Sequence, residues 1–195
     1  MSHVVSTAPT IWPVTVQECK DMAGIEHTAL DTVIERMLHT ATEEAENYME
    51  RQIMTATHKL ILDAWPPGDR IELPWAAPLQ SVTSVAYTDS SGDAQTLTAS
   101  TDYNVDTDGE PGKISLAYGK TWPSVYGEPD VITITYVCGW TAATSVPDPI
   151  VIWILRRVAT LIEHREEFVT GTIVTPLPYH AGLGILDRYR FITII

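Results

Sequence analysis

Apolar residues recur every three or four positions up to residue 51, every second position from residue 59 to 137, and at helical spacing again from residue 150. The first stripe is Leu30, Val33, Ile34, Met37, Leu38, Ala41, Ala45, Tyr48 and Met49. It predicts a helix from about Ala29 to Arg51 that buries one face against another helix. The opposite face carries Glu35, Glu43, Glu44, Glu46 and Glu50. Upstream, Thr15 and Glu18 have the spacing of a capping box, and Gly24 supplies a stop, so a short helix is predicted between them. Residues 1–13, with Pro9 and Pro13, read as an extended arm.

With the change to period two the reading changes to strands. Leu60, Leu62 and Ala64 share a face, and Pro66-Pro67-Gly68-Asp69 is a turn. Ile71–Pro74, Ser81–Tyr87, Tyr103–Val105 and Lys113–Leu116 are further short strands, and Asp89–Asp93 is a hairpin turn. Val131–Val137 is β-branched and aromatic throughout and is the strongest strand. Asp148 as N-cap and Pro149 at the first position restart a helix. Ile150, Trp153, Ile154, Arg157, Val158, Leu161 and Ile162 carry it towards Phe168. The tail beyond Gly171 closes on Leu186–Ile195, an apolar and aromatic end that is costly in water unless something covers it.

These elements predict an α+β fold. Its helical core is the long N-terminal helix packed with the C-terminal one. A small antiparallel β-sandwich or barrel is inserted, and an extended tail follows. The expected divisions are residues 1–54 (arm and helices), 55–145 (β domain) and 146–195 (helix and tail).

Composition narrows the function. At 195 residues and 45% hydrophobic, the chain is long enough to bury a core without disulfides or metals. Its longest apolar run, Ile150–Leu155, is far short of the ~20 residues of a membrane span. The N-terminal residues lack the pattern of a secretory signal. Cys19 and Cys138 are expected as buried free thiols, as suits a reducing compartment. A net charge of −13 argues against a protein that grips nucleic acid through a basic face. The charge is uneven: residues 146–195 hold five acids and five bases, whereas the remainder is strongly acidic.

No nucleophile elbow, P-loop or His-Glu-x-x-His is present, and Gly182-Leu183-Gly184 lacks the third glycine of a dinucleotide fingerprint. Asp106-Thr107-Asp108-Gly109-Glu110 has oxygen ligands at alternate positions but no distal glutamate, so it reads as an acidic turn. His164 stands among Glu163, Glu166 and Glu167 but points about 100° away from Glu163. His39 and Glu43 form an ordinary surface pair, and His3, His27, His58 and His180 have no ligand spacing. No metal, cofactor or enzymatic activity is expected. Trp65, Trp75 and Trp122 lie beside prolines and read as turn packing, with a partner-binding surface as the alternative.

The order of several landmarks carries a resemblance. They are Pro13-Val14-Thr15-Val16-Gln17-Glu18, the helix end Ala45–Arg51, Leu62-Asp63-Ala64-Trp65-Pro66, Ile71–Val82, and Val85–Asp89 followed by Gly92. Val131–Trp140 then precedes Val146-Pro147, His164-Arg165-Glu166 follows, and the series ends at Leu186-Asp187-Arg188-Tyr189-Arg190. Together they resemble the head–tail connector (adaptor) proteins of tailed bacteriophages and gene transfer agents. The stretch Leu73-Pro74-Trp75-Ala76-Ala77-Pro78-Leu79-Gln80-Ser81-Val82 is one residue longer between its prolines than that family's form.

The resemblance implies a structural protein of the virion neck, put together in the host bacterial cytoplasm. Such proteins form a ring, commonly of about twelve subunits, below the portal. The implied partners are further copies of the chain, the portal protein, and a downstream stopper or tail-terminator protein. Viral DNA passes through the lumen without sequence-specific binding. The portal-docking segment maps here to Leu183, Leu186, Arg188, Tyr189, Arg190, Phe191, Ile192, Ile194 and Ile195. Charge placement makes Glu43, Glu44, Glu46 and Glu50 candidates for an acidic channel lining that repels phosphates. The alternatives are another neck ring, namely a stopper or tail terminator, and a carbohydrate-binding or enzymatic β module.

Overall fold

The computed structural model describes residues 1–163 and 183–191. The chain divides into two compact units, Met1–Thr10 with Met54–Thr141 and Ile11–Ile53 with Ala142–Ile195.

The first unit is all β. In chain order its strands are β1 (Ser2–Thr7), β2 (Ala56–Leu62), β3 (Arg70–Glu72), β4 (Leu79–Thr88), β5 (Ala94–Leu97), β6 (Tyr103–Asp106), β7 (Lys113–Leu116) and β8 (Ile132–Cys138). A five-stranded sheet has the order β1-β2-β8-β4-β5, and a three-stranded sheet the order β3-β7-β6. All pairs are antiparallel. The inward residues of β2 and β8 alternate as the period-two pattern requires: Leu60 and Leu62 on one, Ile132, Ile134, Tyr136 and Cys138 on the other. They share one core with Ile71, Tyr103 and Ile114 of the smaller sheet, so the two sheets bury a common apolar layer.

Close approach fixes one glycine of this unit. Gly139 has φ +95°, and a Cβ there would lie 2.4 Å from the Met54 carbonyl oxygen. Only a residue without a side chain lets the end of β8 pass so near that backbone.

Residues 2–7 differ from the sequence expectation. They form an edge strand paired to β2, from Ser2 opposite Ile61 to Thr7 opposite Thr57, where an arm was expected. The partner lies fifty or more residues away, so no local periodicity announces the pairing. β5 was also unforeseen as a strand, since Ala-Gln-Thr-Leu is weakly patterned. It follows from the expected hairpin turn, where the Asp89 carboxylate accepts hydrogen bonds from the Ser91 and Asp93 amides.

The second unit is helical. Helix α1 (Val16–Ala23) begins with the foreseen capping box: the Glu18 amide donates to the Thr15 hydroxyl, and the Thr15 amide donates to the Glu18 carboxylate. It ends at Gly24 in the left-handed conformation. Helix α2 (Asp31–Met49) buries Ile34, Leu38, Ala41, Ala45 and Met49. Val33, one residue and about 100° off that stripe, stays 46% exposed. Helix α3 (Asp148–Glu163) buries Ile150, Trp153, Ile154 and Val158, and the three helices pack on one another. The expected continuation to Phe168 lies outside the described residues. Cys19 and Cys138 are both buried free thiols, as foreseen.

Candidate functional site

The tail segment returns to the end of α2. Glu50 ends that helix in the left-handed conformation, φ 53°, and Arg51 turns inward and is buried. The Arg51 guanidinium lies 5.8 Å from the Tyr189 ring centroid and 4.9 Å from that of Phe191. A planar cation between two aromatic faces is a favourable arrangement once water is excluded. The Phe191 amide donates to the Met49 carbonyl at 3.1 Å, satisfying one of the acceptors that a helix end leaves open. The Tyr48 hydroxyl donates to the Asp187 carboxylate, which raises the phenol above its ordinary range. Arg190 sits over the Tyr48 ring at 5.0 Å.

This geometry redistributes the residues expected to dock on a portal. Leu183 and Leu186 are buried in the chain's own helical unit, because the segment folds back on α2 rather than standing free. As the chain is folded here, these two offer no surface to a partner. Tyr189 and Phe191 are half-buried around Arg51, while Arg188 and Arg190 are exposed. Ile192, Ile194 and Ile195 lie outside the described residues, as do His164, Glu166 and Glu167.

The four glutamates expected along a channel have different fates. Glu46 is buried, and its carboxylate accepts from Gln52 Nε2 at 2.6 Å and from the Ile53 amide at 2.9 Å. It organises the chain where it leaves α2. Glu44 accepts two hydrogen bonds from Arg157 of α3, at 2.6 and 3.0 Å. Glu43 is exposed, and Glu50 is half-buried at the helix end. The apolar stripe reported the helix face correctly, but sequence could not show which acids the unit uses internally.

The β unit holds a cluster that sequence reading missed. His3 Nε2 and His58 Nδ1 are 2.8 Å apart, with stacked rings. Trp75 stacks on His3, and Tyr136 on His58. His58 is fully buried, and its pKa is pushed down to about 4, first by burial and then by the charge of His3. The signal available was the inward register of β2, which gives residue 58 the same face as Leu60. The missing half was β1.

The other candidates resolve into local packing. Asp106 accepts from the Asp108 and Gly109 amides and lies 3.5 Å from Lys113, so the calcium-like run caps its own turn. Among the described residues no three His, Cys, Asp or Glu side chains gather as metal ligands. Trp65 stacks on Trp122 at 4.5 Å, and their indoles donate to the carbonyls of Pro123 and Gly68, the turn packing expected of them. No helix among the described residues is long and apolar enough to cross a membrane.

The family model of phage gp6-like head-tail connector proteins matches residues 13–105. Solved structures share the fold over the whole chain. One, from the neck of an empty gene transfer agent particle computed with C6 symmetry, has TM-score 0.80 and 19% identity. Another, from the virion of a native gene transfer agent, has TM-score 0.79 and 20% identity. A third, from a native neck computed with C12 symmetry, has TM-score 0.76 and 22% identity. Each alignment covers 100% of this chain and 98% of the other. No curated protein sequence matches.

Proposed function

We propose that this chain forms a closed ring in the virion neck that joins the portal to the tail. The observation that supports it most is the fold likeness along the full chain to a protein of gene transfer agent necks, at TM-score 0.80. Cyclic symmetry in those necks supports a closed ring of copies, twelve in the C12 case.

In this reading the end of the chain meets the portal. Arg188 and Arg190 are its exposed cations, and Ile192, Ile194 and Ile195 are its apolar continuation. Leu183, Leu186, Tyr189 and Phe191 anchor that segment to α2, or join the portal if the segment is drawn out. Glu43 and Glu50 face the lumen, with Glu44 and Glu46 holding the helix that carries them. At −13 per copy the ring repels phosphates over the screening distance of about 8 Å, so a duplex slides without sequence-specific binding. The opposite end of the ring receives a stopper or tail-terminator protein.

Deleting the gene tests the reading. Filled or emptying heads that carry portal but no tail are expected, and adding the purified chain restores tail joining. Tailed particles formed without the chain overturn the reading. Binding only to heads that already carry another connector reassigns the chain to a stopper.

A further inference from the structure

The five-stranded sheet ends on β1 and β5, and these edges lack the usual protections. Edge strands are commonly blunted by charges, prolines or bulges, because a bare edge pairs with any strand that reaches it. The smaller sheet follows that rule. Its edge strand β3 carries Arg70 and Glu72 and is followed by Pro74, and its other edge, β6, ends on Asp106, paired with Lys113. Neither Ser2–Thr7 nor Ala94–Leu97 contains an acid, a lysine, an arginine or a proline. Val4 and Val5 are each 47% exposed, and Ala94, Gln95 and Thr96 are exposed. The one protective feature, a register shift between Val5 and Thr7, leaves Ser2–Val5 regular. That is the length of β5.

Direction supplies the second argument. Every neighbouring pair in this sheet is antiparallel, so across five strands the first and last run the same way. The small rotation between neighbours in a large ring keeps strand directions nearly aligned. β5 of one copy and β1 of the next then meet as a parallel pair, a head-to-tail joint of the kind that closes rings. Pairing β1 with β1 would instead give a two-fold dimer and stop.

We propose that β1 of each copy pairs with β5 of its neighbour, so that the β sheets continue from copy to copy around the ring. The proposal rests on the ring reading above. Its occupant is a second copy of this chain.

Cysteine pairs in necks isolated from particles test it. Val4→Cys is combined in turn with Gln95→Cys and with Thr96→Cys, which sample both faces of β5. Oxidation is expected to give a ladder in multiples of the 21.6-kDa chain for at least one pair. Necks of normal appearance with no ladder from either pair overturn the joint while leaving the ring intact. A dimer from Val4→Cys alone overturns it in favour of a two-fold contact. Necks in which the chain is not cyclically arranged overturn both the joint and the ring. As a second measurement, Val4→Lys and Thr96→Lys are each expected to lower the yield of tailed particles about tenfold, and Val4→Lys with Thr96→Glu to recover it. Equal yields from all of these variants, with the folded chain present, contradict the pairing.

Discussion

Arg157 of α3 grips Glu44 of α2 through two hydrogen bonds, Nε to Oε2 at 2.6 Å and Nη2 to Oε1 at 3.0 Å. Both side chains are less than a third exposed. The fork geometry ties together helices from opposite ends of the sequence, and it assigns a packing role to an acid that the helix pattern alone offers to a channel. Glu44→Gln and Arg157→Met are each expected to lower stability by about 1–2 kcal/mol, with a coupling energy near 1 kcal/mol in a double-mutant cycle. Denaturant unfolding of the four proteins checks this.

Glu46 is expected to matter more. Its carboxylate takes the Ile53 amide and the Gln52 side chain in a buried setting. Glu46→Ala strands those donors and should cost about 2–3 kcal/mol, whereas Glu43→Ala on the exposed face should cost less than about 0.5 kcal/mol. Thermal unfolding of the two variants side by side measures the contrast.

The histidine pair sets a pH dependence. His58 is held near 4 and His3 is lowered by burial, against an ordinary value of 6.5. Both are neutral in the fold, so the unfolded chain binds more protons below 6.5. Their contribution is fully present above that pH and is lost as pH falls towards 4. His58 alone accounts for about 3 kcal/mol of that loss. Stability measured between pH 7 and 4 should fall steeply in the wild type and less steeply in His58→Gln, once carboxylate titration common to both is subtracted.

Gly139→Ala is expected to destabilise by more than about 2 kcal/mol. The added carbon meets the Met54 carbonyl at 2.4 Å, and the residue holds φ +95°. Gly127→Ala, where nothing lies within 4 Å, is the matching control. Equilibrium unfolding of both variants separates steric clash from the loss of a glycine.

What could be read in advance follows a physical division. The capping box of Thr15 and Glu18, the stripe from Ile34 to Met49 and the alternation in β8 are local patterns, and the fold keeps them. β1 depends on a partner strand distant in sequence, and the Arg51 clasp on Tyr189 and Phe191 spans some 140 residues, so neither leaves a local period. The internal partners of the acids are hidden from sequence for a related reason. A glutamate on a helix face looks the same whether it meets solvent, an arginine from α3 as Glu44 does, or its own chain's amides as Glu46 does. The order of landmarks along the chain was legible because it does not depend on any one side chain's environment.

Electron microscopy of purified portal mixed with this chain is the most direct test of the connector account. The account expects a ring of this chain seated on the portal, with Arg188→Glu and Arg190→Glu together weakening occupancy. Portal particles that stay bare at saturating chain, or a chain that decorates them without cyclic order, would contradict it.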